Sequence, residues 1–122
     1  MTPHKERIFH IATPDDAERL RGGGVLWPSS LETEGFVHCS TATQVVVTTA
    51  RHFAAGAVLV LVELDAEAIV SELQWPEVYP GEYFPHLHAP LHPSAVIALH
   101  PWGPDDRLRW DAAPAPPLAD DT

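Results

Sequence analysis

The sequence predicts an α+β fold in one compact domain. Strand-like and helix-like segments are mixed without the regular ~30-residue βαβ rhythm of a doubly wound sheet. A run from Ala57 to Leu64, apolar except for Glu63, has the composition of a buried strand at the centre of a sheet. Helix starts are marked by cap residues, at Thr13 and again at Thr41.

Taken in order, Arg7–Ala12 (RIFHIA) is rich in β-branched and aromatic residues and reads as the first strand, with His10 on the face shared by Ile8 and Ala12. Thr13 then serves as N-cap, Pro14 takes the first helical position, and Asp15 and Asp16 favour the positive end of the dipole. Gly22-Gly23-Gly24 ends that helix. Residues from Val25 to Glu34 read as a loop, and Gly35–Ser40 as a short extended segment. Its alternation puts Phe36, His38 and Ser40 on one face, Val37 and Cys39 on the other. Thr41 and Gln44 match a capping box for a helix running to about Phe53 and stopping by Gly56.

After the Ala57–Leu64 strand, Asp65 can cap one helical turn through Ile69. Glu72–Trp75 and Ser94–His100 read as further strands, the last of them buried, and the proline-rich stretch before it as a loop. Residues 1–111 are expected to form the globular domain. The stretch after Trp102 has too little apolar content to be expected to pack, and 112–122, rich in Pro, Ala and Asp, reads as a flexible tail.

Composition narrows the function. The 122 residues carry 7 basic and 17 acidic side chains, a net charge of −10, with 8 histidines, 13 prolines and one cysteine. Six arginines and Lys5 do not make the basic field that non-specific binding to a nucleic-acid backbone needs. A single cysteine forms no intramolecular disulfide, and the polar N-terminus lacks an apolar signal region, so a cytoplasmic protein is expected. The longest stretch without charged residues, 83–104, contains five prolines and does not read as a membrane helix.

Three places put polar residues where a core would use aliphatics: His10, His38 with Ser40, and the Glu82–His86 segment (EYFPH). A lone strand histidine is usually a hydrogen-bonded structural residue, but together the three point to a pocket. Gln44 reads first as the capping partner of Thr41. Arg51, seven positions later on the same helix face, is either a solvated charge or an anion donor.

Ile8–Ile11, Glu34–Thr41 (EGFVHCST), Leu61–Asp65 and Glu82–Leu87 followed by Ala89-Pro90-Leu91 resemble the blocks of the bacterial domain of unknown function 952 family, over about residues 7–101. That family has been grouped with the ADP-ribosyltransferase superfamily. The grouping implies a split β-sandwich with NAD lying across two small sheets and a small-molecule nucleotide as the partner. It also implies roles: His10 toward adenosine, Ser40 and His38 at the nicotinamide ribose, and Glu82 as the carboxylate, with Glu63 the other candidate. Arg51 or a helix N-terminus would meet the pyrophosphate, and His86 would line the pocket. Where family members commonly have Tyr, this chain has His88.

The chemistry suits these residue types. Cleaving the nicotinamide glycosidic bond develops an oxocarbenium-like charge, which a carboxylate stabilises, while imidazoles and hydroxyls bond ribose. Two other readings compete. His86, His88 and His92, with Glu82, could ligate a metal, because i, i+2 imidazoles share a face of an extended chain. The pocket could also bind a nucleotide without turning it over. Cys39, read as a small buried hydrophobe, is not expected to be a nucleophile.

Overall fold

The computed structural model describes residues 6–111, and the expected tail at 112–122 lies outside them. Strand β1 (Ile8–Ala12) is followed by helix α1 (Pro14–Arg21), whose start is as expected: the Thr13 hydroxyl accepts from the Asp16 N–H at 3.2 Å. Helix α2 (Ser29–Thr33) lies where a loop was expected. Its five residues carry no side-chain cap, so local sequence gave little signal for it. Gly35, at φ 89°, closes it by donating to the carbonyls of Ser30 and Leu31.

The Gly35–Ser40 segment is not one strand. It divides into β2 (Val37–His38) and β3 (Ser40–Thr41), which belong to different sheets. Helix α3 (Val45–His52) follows, and only half of the predicted capping box forms. Gln44 Oε1 accepts from Thr41 N–H at 3.0 Å, whereas the Thr41 hydroxyl pairs with that of Thr43, because Thr41 is already held in a strand.

The apolar run becomes β4 (Leu59–Leu64), flanked on both sides as predicted, by β1 and by β9 (Val96–Trp102). These three and β3 form an antiparallel sheet in the order β3-β1-β4-β9. β9 is an edge strand, mostly half-buried with Ile97 exposed, rather than the buried strand expected. Strands β5 (Leu73–Gln74) and β8 (His86–Leu87) join β2 in a second sheet, ordered β2-β8-β5. Between them, β6 (Glu77–Tyr79) and β7 (Glu82–Tyr83) form a separate hairpin, turned at Gly81 with φ 76°. The proline-rich stretch read as loop therefore holds β8, and Glu82 lies on a strand.

The core has two halves, one on each face of the large sheet. Ile8, Ala12, Val62 and Leu64 pack toward α1 and the small sheet, meeting Leu20, Val37, Leu87 and Leu91. On the opposite face Phe9, Leu59, Leu61 and Trp102 pack with Val45 of α3. Trp102 Nε1–H donates to the Thr49 hydroxyl at 2.9 Å inside this layer.

Residues after Trp102 pack as well, contrary to expectation. Helix α4 (Pro104–Leu108) leads to Trp110, whose ring meets Phe9 and Trp102 edge-on at 5.5 and 5.1 Å and whose Nε1–H donates to the Ala42 carbonyl. Low average apolarity concealed one well-placed aromatic. Arg107 adds donors to the carbonyls of Ala55, Ala57 and Trp102. Trp110→Ala should therefore cost about 2 kcal/mol or more and lower the melting temperature by at least ~8 °C in a thermal scan. A shift within a degree or two would show that the tryptophan is not part of the core.

Candidate functional site

A cavity of about 470 Å³ opens where the two sheets separate. Its origin is a mismatch of strand lengths. β4 pairs with all five residues of β1, but β3 pairs only with Ile8 and Phe9, so the β1 edge is uncovered from His10 onward. The chain that would have covered it crosses at Cys39 to the small sheet, where Cys39 N–H donates to the Pro85 carbonyl. His10 and Ile11, α2, α3, the β6–β7 hairpin and His86 enclose the space.

His10, His38, Ser40, Arg51 and His86, chosen from the sequence, all line this one cavity. His10 is buried, and its Nδ1–H donates to the His38 carbonyl at 2.9 Å. Burial pushes its pKa below the usual imidazole value, although the carbonyl bond opposes the shift. The ring is thus neutral, and with Nδ1–H committed, Nε2 carries a lone pair. Ser40 is buried, its hydroxyl donating to that of Thr48 at 3.3 Å.

His38 stands at the cavity rim, with 56% of its side chain exposed, and its Nε2 lies 3.3 Å from the Glu34 carboxylate. Phe36 stacks on His86 with centroids 3.8 Å apart and rings within 6° of parallel, and touches His38 at 4.7 Å. Burial, with His38 and His88 nearby, lowers the pKa of His86. Arg51 is exposed and lies over the Tyr79 ring, 4.3 Å from its centroid. Among the described arginines it alone has no carboxylate or carbonyl acceptor; the others reach Glu63, Val25 O, Glu18, the carbonyls named above, or Asp106.

The carboxylate differs from the expectation. Glu82 is half-buried on β7 and does not line the cavity. Glu63 points to the opposite face of the large sheet. There Arg7 binds it through two 3.0 Å bonds and His100 Nε2–H donates at 2.9 Å. Burial raises the Glu63 pKa, but these donors outweigh it and hold the carboxyl below its usual range. Glu34 is the only carboxylate among the described residues that line the cavity. It opens the EGFVHCST block four residues before His38, a spacing that could have signalled it. Phe36, Thr48, Tyr79 and Phe84 were also not singled out for the wall.

Of the metal candidates, His86 and His88 both approach Phe36, but His92 does not join them: no group of three His, Cys, Asp or Glu among the described residues is arranged to hold an ion. Cys39 packs in the core with Val37, and burial pushes its thiol up to about 12, so it stays protonated and unreactive at neutral pH.

The family described as protein of unknown function (DUF952) matches the chain over residues 11–99. The chain belongs to this family. Its fold is shared with protein CC0527 from Caulobacter crescentus. The crystal structure of that protein matches at a TM-score of 0.67 and 30% identity, covering 78% of this chain and 84% of the other. The solution structure of CC0527 matches at a TM-score of 0.66 and 28% identity, covering 80% and 84%. No curated protein matches. This DUF952 chain has, among its described residues, no helix long and apolar enough to cross a membrane.

The lowered pKa values of His10 and His86 make stability depend on pH with a definite sign. Between the folded and unfolded values the unfolded chain binds more protons, so stability is full above about pH 6.5 and falls as pH drops through it, by up to about 1.4 kcal/mol per pH unit for the buried His10 ring and less for the more exposed His86. His10→Asn keeps a donor near the Nδ1 position and removes one titrating ring. Its urea midpoint should change less than that of the wild type between about pH 7.5 and 5.5. An equal change in both proteins would mean that His10 is charged in the fold.

Proposed function

We propose that this DUF952 protein binds a nucleotide in the cavity and acts on NAD as an ADP-ribosyltransferase-like enzyme, breaking the bond between nicotinamide and ribose. What supports this reading is the convergence of unlike groups on one cavity of nucleotide-ligand size. His10, neutral with Nε2 as a lone-pair acceptor, needs a donor, and the ribose hydroxyls are donors. Arg51, alone among the described arginines without an oxygen acceptor, suits a phosphate. Phe36 and His86 offer flat faces for a base. A volume of about 470 Å³ lies within the range of small-molecule sites.

The reaction class is taken from what the resemblance to the ADP-ribosyltransferases implies, and a cavity between two small antiparallel sheets is the feature of the fold offered in its support. One role moves. The positive charge that develops on the ribose faces Glu34, since neither Glu82 nor Glu63 reaches the cavity. Ser40 and Thr48 contribute hydroxyls on the α3 side. NAD is here a substrate, and the protein supplies its orientation and the electrostatics.

Calorimetry with ADP-ribose and NAD, beside a nicotinamide-release assay, tests the reading. His10→Ala should weaken both ligands by ~1 to 2 kcal/mol through one lost hydrogen bond. Arg51→Ala should weaken them by a similar amount and flatten the salt dependence of binding. Absence of ADP-ribose and NAD binding by the wild type at millimolar ligand would overturn the assignment. Binding without nicotinamide release would leave a nucleotide-binding module.

A further inference from the structure

We propose that His38, positioned by Glu34, is the base that activates water against the nicotinamide ribose, so that the enzyme hydrolyses NAD to ADP-ribose. The inference deepens the NAD reading above and rests on it. It is carried by the geometry of the pair. His38 Nε2 lies 3.3 Å from the Glu34 carboxylate, and a carboxylate only accepts, so the neutral ring donates there and its Nδ1 keeps the lone pair. No hydrogen bond engages Nδ1 among the described residues, and both side chains stand at the cavity rim, about half exposed, where water enters.

Four other groups of the cavity are already committed. His10 has its Nδ1–H committed and is buried away from the rim. The Ser40 hydroxyl is held by Thr48, Cys39 is protonated, and His86 is stacked under Phe36. The rim position also favours water over a held acceptor, because a half-exposed base meets solvent first. A carboxylate behind an imidazole sets its tautomer and stabilises the imidazolium that forms.

The step balances without oxidant or reductant. Nδ1 takes one proton from water as the water oxygen forms the bond to the anomeric carbon of the nicotinamide ribose. The bond from that carbon to nicotinamide breaks, and its electron pair neutralises the pyridinium nitrogen. Nicotinamide and ADP-ribose leave, and His38 returns its proton to solvent.

The charged and titratable groups that face His38 are Glu34 from the end of α2, His86 from β8, with His88 acting on His86, and His10 from β1. Nicotinamide release in buffer, with no other acceptor, is the readout, followed against pH. His38→Ala should lose about 10²-fold in turnover and lose the acid limb of the profile, while NAD affinity changes by less than about threefold. Added imidazole should restore part of the rate. Glu34→Gln should lower turnover while NAD affinity changes by less than about threefold, because the amide no longer fixes the His38 tautomer and no longer faces the developing charge with a carboxylate. Folding is not at stake in His38→Ala, since the bond from His10 goes to the backbone carbonyl of residue 38. An acid limb retained in His38→Ala, or a loss of turnover matched by a loss of binding, would overturn the base role and leave the NAD reading standing. A wild type that binds neither NAD nor ADP-ribose would remove both.

Discussion

The hydrogen bond from the buried His10 ring to the carbonyl of His38 joins the two sheets at the point where they part. Position 38 is the last residue of the small sheet's edge strand, and Ser40 is the first of the large sheet's. A chain that changes sheets within three residues must leave a backbone carbonyl turned inward, and a buried carbonyl needs a donor. His10 supplies it from the neighbouring strand. The same burial keeps the ring neutral and leaves Nε2 as an acceptor, so one structural obligation produces a group able to recognise a ligand.

Charge is distributed with a similar economy. The chain is strongly acidic, yet Glu63, with only 13% of its side chain exposed, lies on the face away from the cavity and is neutralised by Arg7 and His100. That cluster sits under Trp110 and Phe9, with the Arg7 guanidinium 5.1 Å from the Phe9 centroid, and belongs to the packing of the α3 side. Removing one partner would strand a half-buried charge, which makes the trio a structural unit. The cavity is left with one rim carboxylate and one arginine without an oxygen acceptor, a nearly balanced pair suited to a ligand carrying both phosphate and a cationic ring.

The cavity wall is assembled from parts of unequal support. β1 and α3 rest on the two core layers, whereas the β6–β7 hairpin is a separate two-stranded unit with exposed side chains. Gln44 Nε2–H donates to the Tyr83 carbonyl at 2.8 Å, and Arg51 covers Tyr79, so α3 and the residue that precedes it tether the hairpin. Gln44, read from the sequence only as a capping residue, holds both Thr41 and this hairpin.

Local chemistry alone determined the elements whose signals are local: β1 with His10 on its inner face, the Thr13-Pro14 start of α1, the central place of β4, and the α+β class. Polar residues in apolar surroundings need a reason that can be read without coordinates, and that signal picked out His10, His38, Ser40 and His86 together with Glu82, which does not reach the cavity, while Arg51 was left open between a solvated charge and an anion donor. Tertiary structure decided what depends on partners distant in the chain. Gly35–Ser40 alternates like one strand, and only the competing edges of β1 and β8 cut it at Cys39. Trp110 looked like part of a polar tail until Phe9, Trp102 and the Ala42 carbonyl surrounded it. The carboxylate was misplaced for the same reason: Glu82, Glu63 and Glu34 are alike as residues, and only the path of the backbone puts Glu34 at the cavity, Glu63 on the far face and Glu82 on a hairpin that does not bring it there.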